Sequence, residues 1–169
     1  MKQYNDSLMD KQAVERSEDV VGFFLDGSYV FDNFAPFQVE WRGKLWPTSE
    51  HAYQAAHFID THPKLAEKVR AAKSPREASD FANAHADKDR PDWKDVKLSV
   101  MEEICLCKLR QHAYIRQVLL DTGNRQLVEM SPHDAFWGWG PDKNGRNELG
   151  KVWMRLRDKL KAGQIKLSD

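Results

Sequence analysis

Residues 46–51, Trp-Pro-Thr-Ser-Glu-His, decide how the middle of this chain folds, because a short strand over 44–46 gives way there to a helix. Thr48 or Ser49 can cap that helix, since a side-chain hydroxyl accepts a hydrogen bond from a backbone N–H of the first turn. Glu50 then lies in the first turn, where the helix dipole favours an ionised carboxylate.

The helix that begins here is predicted to have one polar face. At helical spacing Glu50, Gln54 and His57 lie on the same side, while several alanines and Ile59 supply the apolar side. Glu50 can therefore face a cleft. The alternative is that Glu50 only complements the helix dipole at a solvated end.

A second carboxylate stands beside aromatic residues in segment 134–140, Asp-Ala-Phe-Trp-Gly-Trp-Gly. Two carboxylates in aromatic surroundings indicate acid–base chemistry on a flat ligand. From Gly138 to Gly150 the chain holds four of its nine glycines. This density predicts a tight loop whose backbone can approach a ligand closely.

A final helix over 148–161 is predicted to follow this loop. Asn147 is its expected N-cap, and Gly163 is expected to end it. The backbone N–H groups at the start of the helix are candidates for holding an anion, above all a phosphate. The local alternative is a structural turn packed under Trp137.

The whole pattern predicts an α+β fold, a mostly helical single domain with a small antiparallel sheet. A hairpin is expected around Arg42 and Gly43. Residues 74–77, Ser-Pro-Arg-Glu, combine a serine cap, a proline at the first helical position and a glutamate at the capping-box position. The predicted strands cover 20–25, 38–41 and 44–46, and the predicted helices cover 49–59, 64–72, 75–84, 93–111, 113–120 and 148–161.

Composition is that of a folded protein with a sizeable core, since 41% of the 169 residues are hydrophobic and 31% are charged. Residues 1–19 are charged and lack periodicity, so we expect a polar, flexible leader followed by the domain over 20–169. Basic and acidic residues balance at 26 each, without a dense basic block. The sequence does not indicate a groove that follows a nucleic-acid backbone, so a DNA or RNA substrate would be recognised through a modification.

The sequence predicts a cytoplasmic protein without membrane association. No apolar run reaches the roughly 20 residues that a membrane-spanning helix needs, and the first residues are too polar for a signal peptide. Cys105 and Cys107 lie two apart in a predicted helix, so their side chains point to different sides. We expect them to be reduced core residues.

Lys108 interrupts an apolar stripe of the long helix that contains Leu98, Met101 and Cys105. Burial disfavours the ammonium form, which would leave a neutral, nucleophilic amine near neutral pH. Such an amine could attack C1 of a ring-opened ribose. The alternative is that Lys108 reaches solvent from the edge of the stripe.

Metal and serine-hydrolase chemistry find little support in the sequence. The six histidines include no His-Glu-x-x-His spacing, and His51 and His57 are six apart, which places them on different helical faces. No Gly-x-Ser-x-Gly turn occurs. We therefore expect no metal and no cofactor.

Four segments together resemble the NADAR (YbiA-like) family: 32–37 (Asp-Asn-Phe-Ala-Pro-Phe), 46–51, 92–93 (Asp-Trp) before a long helix, and 137–150. The resemblance runs from residue 23 to residue 160, and motifs of this length in this order are specific. It implies a YbiA-like fold and an N-glycosidase that acts on a ribosylated base. The implied substrates are phosphorylated early intermediates of riboflavin biosynthesis, or ADP-ribose attached to guanine, the latter making the enzyme an ADP-ribosyl hydrolase.

Such a reaction builds positive charge on the sugar, so a carboxylate beside C1 and a second group at the departing nitrogen would both help. We assign Glu50 the anionic role and Asp134 the role near the leaving group, although the two roles can be exchanged. Lys108 offers a distinct route, through a transient imine with the ring-opened sugar.

Trp93 and Trp137 are the expected stacking walls for the base, by their place in the family motifs and because aromatic faces stack on flat bases. The alternative for each tryptophan is ordinary core burial. Asn33 and Asn147 are expected to hydrogen-bond ribose or phosphate, and Gly138 is expected in the same substrate-binding set.

The expected partner is a ribosylated base or ADP-ribose, which could be carried on ADP-ribosylated nucleic acid. A non-catalytic reader of ADP-ribose or nucleotides is the alternative function. It would bind the same ligands without releasing a base.

Overall fold

A computed structural model describes residues 19–24 and 30–167. Their contacts group them into two compact units. The central unit comprises residues 33–113 and Leu167, and the terminal unit comprises residues 19–24, 30–32 and 114–166. The predicted leader lies outside the described residues except for Asp19, and the single domain over 20–169 remains a prediction.

The central unit begins with an antiparallel hairpin of β2, Val39–Trp41, and β3, Lys44–Trp46. Arg42 and Gly43 form its turn with φ of 50° and 70°, the left-handed conformations that a two-residue hairpin turn of this type requires. The indole N–H of Trp46 donates to the carbonyl of Trp41 at 3.0 Å. The predicted hairpin and its turn are confirmed.

Four α-helices follow in the central unit. They are α1, Ser49–Ala56; α2, Pro63–Arg70; α3, Pro75–Ala84; and α4, Trp93–Gln111, with a short 3₁₀ helix at Ala86–Lys88. The first helix packs on the other three, and α4 also packs on β2. The largest fully buried side chains of this unit are Trp41, Trp46, Phe58, Met101, Ile104, Lys108 and Leu109.

The start of α3 is fixed by the capping pattern read from the sequence. The Ser74 hydroxyl accepts from the N–H of Glu77 at 3.1 Å, and the Glu77 carboxylate accepts from the N–H of Lys73 at 2.9 Å. These bonds use two backbone donors that the helix itself cannot satisfy. The predicted boundary is therefore confirmed.

The terminal unit contains β1, Val20–Phe23; α5, Ala113–Asp121, from its second residue onward; β4, Gln126–Glu129; and α6, Glu148–Lys161. The two strands run parallel, with Val20 opposite Gln126 and Phe23 opposite Glu129. The last helix packs on β4. An aromatic cluster of Phe23, Phe31 and Trp153 is buried there, with ring centroids 5.2–5.8 Å apart along the cluster.

The predicted α+β, mostly helical fold is confirmed, with one correction to the sheet. The antiparallel part is the β2–β3 hairpin, whereas β1 pairs in parallel with β4, a strand that the sequence did not predict. Gly163 follows the end of α6 with φ of 66°, as expected of a residue that ends a helix. Over residues 19–24 and 30–167, no helix combines the length and the apolar character needed to cross a bilayer.

The two cysteines differ in their surroundings. Cys105 is fully buried, as predicted, but Cys107 is only half-buried. Burial raises the pKa of the Cys107 thiol, and the nearby Glu103 carboxylate raises it further. Cys107 is therefore held in the less reactive thiol form.

Candidate active site

Glu50 is a buried carboxylate at the start of α1. Thr48 caps this helix, because its backbone is extended and its hydroxyl accepts from the N–H of His51 at 3.3 Å. Glu50 follows in the first turn and is only 8% exposed. This burial contradicts the alternative of a dipole partner at a solvated helix end.

The carboxylate of Glu50 is oriented by its neighbour on the next turn. Gln54 Nε2 donates to Glu50 Oε1 at 2.8 Å and also lies 3.5 Å from Ser79 Oγ on α3. The shared polar face predicted for Glu50 and Gln54 is thus confirmed by a direct contact.

Asn33 connects the start of α1 to α4. Its carbonyl accepts from the N–H of Glu50 at 3.0 Å, while its side-chain Nδ2 lies 3.3 Å from the sulfur of Met101. Asn33 Oδ1 and Ser49 Oγ are buried, and neither has a hydrogen-bond partner within the described part of the chain. Buried polar atoms without partners are uncommon, and a ligand or a catalytic role accounts for some of them.

Lys108 is completely buried on α4. Its Nζ lies 5.5 Å from the ring centroid of Phe37, and it stands two helical turns from Met101 on the same face. The alternative in which this lysine extends to solvent is therefore wrong. Through Met101, Asn33 therefore contacts the same face of α4 that carries the buried amine of Lys108.

Trp93, the first residue of α4, is half-buried and packs against α1. Its ring centroid lies 3.8 Å from that of His57 and 5.2 Å from that of Tyr53. One side of the indole is therefore covered by an imidazole. Stacking of a base on Trp93 remains a prediction, restricted to the side that His57 does not cover.

His57 and Asp89 are candidate residues that the sequence analysis missed. His57 Nδ1 and Asp89 Oδ1 are 2.8 Å apart. Burial lowers the pKa of His57, and the hydrogen bond and charge of Asp89 oppose that shift. The sequence did indicate that His57 shares the helical face of Glu50. No local pattern indicated its pairing with Asp89, which lies 32 positions away.

His51 is a buried histidine with a defined hydrogen-bonding pattern. Its Nε2 lies 3.2 Å from the carbonyl of Ala72, which can only accept, so Nε2 carries the proton and Nδ1 accepts from the Thr48 hydroxyl at 2.9 Å. Burial lowers the pKa of His51, opposed by the Ala72 hydrogen bond and by the charge of Glu77. A neutral imidazole thus holds the capping residue that precedes Glu50.

Asp134 lies in the terminal unit and organises its own loop. Its Oδ1 accepts from the N–H groups of Phe136 and Trp137, both at 2.7 Å. Within the described residues Oδ2 accepts no hydrogen bond, so one carboxylate oxygen is structural and the other is available to a ligand. Trp137 is half-buried, with its ring edge-on to Phe136 at 4.9 Å.

Asn147 occupies the predicted N-cap position of α6 but does not cap the helix through its side chain. Its backbone is left-handed, with φ of 52°. The side-chain amide instead bonds β4, because Oδ1 accepts from Glu129 N at 2.9 Å and Nδ2 donates to Leu127 O at 2.8 Å. This geometry favours a structural role over the predicted hydrogen bond to ribose or phosphate.

The predicted anion site at the start of α6 is wrong. The N–H groups of Glu148 and Leu149 donate to the carbonyls of Phe136 and Trp137, each at 3.1 Å. The loop therefore uses donors that a phosphate would need. The alternative of a structural turn close to Trp137 is the one observed.

Gly138 allows this loop to pack against β4. A Cβ atom at this position would lie 2.7 Å from the carbonyl oxygen of Glu129 and 3.1 Å from that of Asp134. The residue is buried, and its own carbonyl accepts from Asn147 N at 3.0 Å. The packing alone accounts for glycine here, and substrate binding by Gly138 remains a prediction.

The predicted site residues divide between the two units. The central unit contains Asn33, Glu50, Trp93 and Lys108, and the terminal unit contains Asp134, Trp137, Gly138 and Asn147. Trp41 and Trp153 are buried in the core. Across the described ranges, no cluster of three or more histidine, cysteine, aspartate or glutamate side chains is arranged to hold a metal ion.

Comparison with known proteins identifies the family. A model described as the NADAR domain matches residues 21–161. The N-glycosidase YbiA of Shigella boydii is 40% identical over 130 residues, which cover 77% of this chain and 80% of that protein. A riboflavin biosynthesis protein of Vibrio vulnificus is 41% identical over 128 residues, 76% of this chain and 34% of that protein.

A solved structure has the same fold. The NMR structure of Escherichia coli YbiA aligns with a TM-score of 0.77 at 34% identity, covering 92% of this chain and 96% of that one. The family match spans most of the chain, and the named relatives align along most of its length. This chain belongs to the NADAR domain family.

Proposed function

We propose that this protein cleaves the C–N bond between ribose C1 and the base in phosphorylated ribosylamino-pyrimidine intermediates of riboflavin biosynthesis. It is an N-glycosidase, and hence a hydrolase, like its relative YbiA. The observation that carries the proposal is the arrangement in the central unit. There Asn33 connects the buried carboxylate of Glu50 to the face of α4 that carries the buried amine of Lys108. The riboflavin-related name of the Vibrio vulnificus relative supports the choice of substrate.

Glu50 supplies negative charge where the transition state becomes positive. The helix start and the Gln54 amide stabilise its ionised form, and its burial keeps water from screening the charge. In this proposal Glu50 stabilises the sugar cation at C1 or aligns the attacking water.

Lys108 provides a covalent route for the same overall reaction. With the sugar ring open, Nζ adds to C1, and the base nitrogen leaves with a proton and its bonding electrons. The resulting C1=Nζ imine is then hydrolysed by water, which returns the amine and releases the sugar phosphate as an aldehyde that closes to a ring. Oxidant and reductant are not required.

Asp134 and Trp137 are assigned to the departing base. The free Oδ2 of Asp134 is suited to a hydrogen bond with the leaving nitrogen, and the half-buried indole of Trp137 is suited to stacking. These two assignments stay predictions, as does base stacking on the exposed side of Trp93.

The test measures products by liquid chromatography and mass spectrometry. The protein is incubated with a ribosylamino-pyrimidine 5′-phosphate and, in parallel, with ADP-ribosylated guanosine or DNA. We expect release of the free base and ribose 5-phosphate from the first substrate. Glu50→Gln should lower kcat by about 10²–10⁴-fold, because the amide keeps the size and hydrogen bond of the carboxylate but not its charge.

A matched control distinguishes charge at the site from charge elsewhere. Glu40→Gln makes the same substitution at an exposed position of β2 and should leave kcat unchanged. Release of ADP-ribose alone would replace the proposed substrate by ADP-ribosylated guanine. Saturable binding without any released base would support a reader and contradict the enzyme.

A further inference from the structure

We propose that Arg76 is the specificity residue that binds the phosphate of the substrate. The inference rests on the proposed function and adds a residue that the sequence analysis did not assign to the site. It is based on contacts that lead from Arg76 to the neighbours of Glu50, on the lack of an acidic partner for Arg76 among the described residues, and on the hydrogen bonds that already occupy the N–H groups of Glu148 and Leu149.

The first contact that places Arg76 near Glu50 runs through Phe34. The Arg76 guanidinium carbon lies 5.5 Å from the Phe34 ring centroid. Phe34 directly follows Asn33, whose carbonyl accepts from the N–H of Glu50. Arg76 therefore contacts the residue next to Asn33, and Asn33 is hydrogen-bonded to the backbone of Glu50.

The second contact runs through α3 itself. Ser79 lies three residues after Arg76, so the two side chains share a face of the helix. Ser79 Oγ lies 3.5 Å from Gln54 Nε2, and Gln54 donates to Glu50. Two separate sets of contacts thus bring the same cation to the neighbourhood of the same carboxylate.

Arg76 has no carboxylate partner within the described residues, although other arginines of the central unit do. Arg42 and Arg90 both pair with Asp60, and Arg70 pairs with Glu67. Arg76 is exposed, and its guanidinium lies over the aromatic ring of Phe34. A guanidinium presented in this way fits a phosphate, which can accept two of its N–H bonds at once.

The start of α6 does not offer the backbone donors for phosphate binding that the sequence suggested. The N–H groups of Glu148 and Leu149 are already bonded to loop carbonyls. In this proposal the side chain of Arg76 supplies the recognition instead. The chemical class recognised is a phosphate monoester on the ribose whose C1 is attacked.

The experiment compares two substrates that differ only in phosphate, the ribosylamino-pyrimidine 5′-phosphate and its dephosphorylated counterpart. Arg76→Gln should raise KM for the phosphorylated substrate at least tenfold and leave kcat within twofold. The same variant should leave kcat/KM for the dephosphorylated substrate unchanged. Arg76→Lys, which keeps the charge but not the paired donors, should restore part of the lost affinity.

The control is Lys68→Gln, which removes one exposed cation from α2 and lowers the net charge by the same amount. It should leave both KM values unchanged. Equal losses on both substrates for Arg76→Gln would overturn the inference, since they would indicate a structural role. An unchanged KM for the phosphorylated substrate would overturn it as well.

Calorimetric titration with ribose 5-phosphate separates this inference from the proposed function. Binding by the wild-type protein that weakens at least tenfold in Arg76→Gln supports a phosphate site even if neither substrate is hydrolysed, and in that case only the proposed function fails. Absence of ribose 5-phosphate binding to the wild-type protein would overturn the phosphate site. Hydrolysis of both substrates would then still support the enzyme.

Discussion

Lys108 is the residue whose burial has the clearest chemical consequence. A long apolar side chain would fill the same space at lower cost than an ammonium group, so the retention of an amine there calls for a use. The proposed imine route would give the amine a role, because an amine can attack a carbonyl carbon.

We predict that borohydride added during turnover traps a covalent adduct on Lys108. Reduction of the C1=Nζ imine would leave a stable secondary amine, seen as a mass increase on the tryptic peptide that contains Lys108. Lys108→Met should abolish the adduct and keep the fold, since methionine matches the length of the buried stem. Turnover by the folded wild-type enzyme without any adduct would contradict the imine route and favour direct attack by water assisted by Glu50.

At the scale of elements, the loop between β4 and α6 differs most from its prediction. The sequence predicted a ligand-binding loop there, and the contacts of Asn147 favour a structural role. Asn147 bonds the two backbone groups of β4 and takes a left-handed conformation. Gly150 makes room for this arrangement, because a Cβ there would clash with Leu127 O and with the Asn147 amide. The loop is therefore built as a scaffold.

We predict that Asn147→Ala lowers the free energy of unfolding by about 2–4 kcal/mol, from two lost hydrogen bonds and from a left-handed backbone on alanine. Asn147→Gly loses the same bonds without the backbone cost and should be less destabilised by about 1–2 kcal/mol. Urea unfolding of the three proteins measures both differences. Loss of substrate affinity at unchanged stability would instead restore the ligand-binding role.

Local sequence patterns were enough to predict most of the helices and strands. The errors in the predicted fold came from pairings between residues far apart in the sequence. The cap at Thr48 and the Ser74–Glu77 pattern set the starts of α1 and α3 from residues within one turn. Nothing near 126–129 indicated that this short segment pairs with β1. The same limit applies to the site, where Glu50 and Lys108 had local indications but the contacts of Arg76 and the His57–Asp89 pair did not.

At the scale of the whole molecule, the buried His51 and the half-buried His57 link stability to pH. Burial lowers the pKa of His51 and of His57 below the ordinary value of 6.5. The unfolded chain therefore binds protons at a higher pH than the folded protein does. Stability from this source is complete above pH 6.5 and is lost as the pH falls from there toward the lower folded pKa values.

We predict that the free energy of unfolding falls between pH 7 and pH 5, by up to about 1.4 kcal/mol per pH unit for each histidine. Urea unfolding at several pH values measures the slope. His51→Gln and His57→Gln should each reduce it, with His62→Gln as the control for removal of an exposed histidine. A double variant with the wild-type slope would assign the pH dependence to other groups.

The parallel pairing of β1 with β4 sets an order of events during synthesis. β1 emerges from the ribosome about a hundred residues before its partner, which is a delay of roughly 5–20 s at ordinary elongation rates. During that interval the backbone groups of β1 that will bond β4 have no native partner, and such an edge can pair with another nascent chain. We therefore expect codon choice and chaperone access to affect yield while the segment between Phe23 and Gln126 is being synthesised.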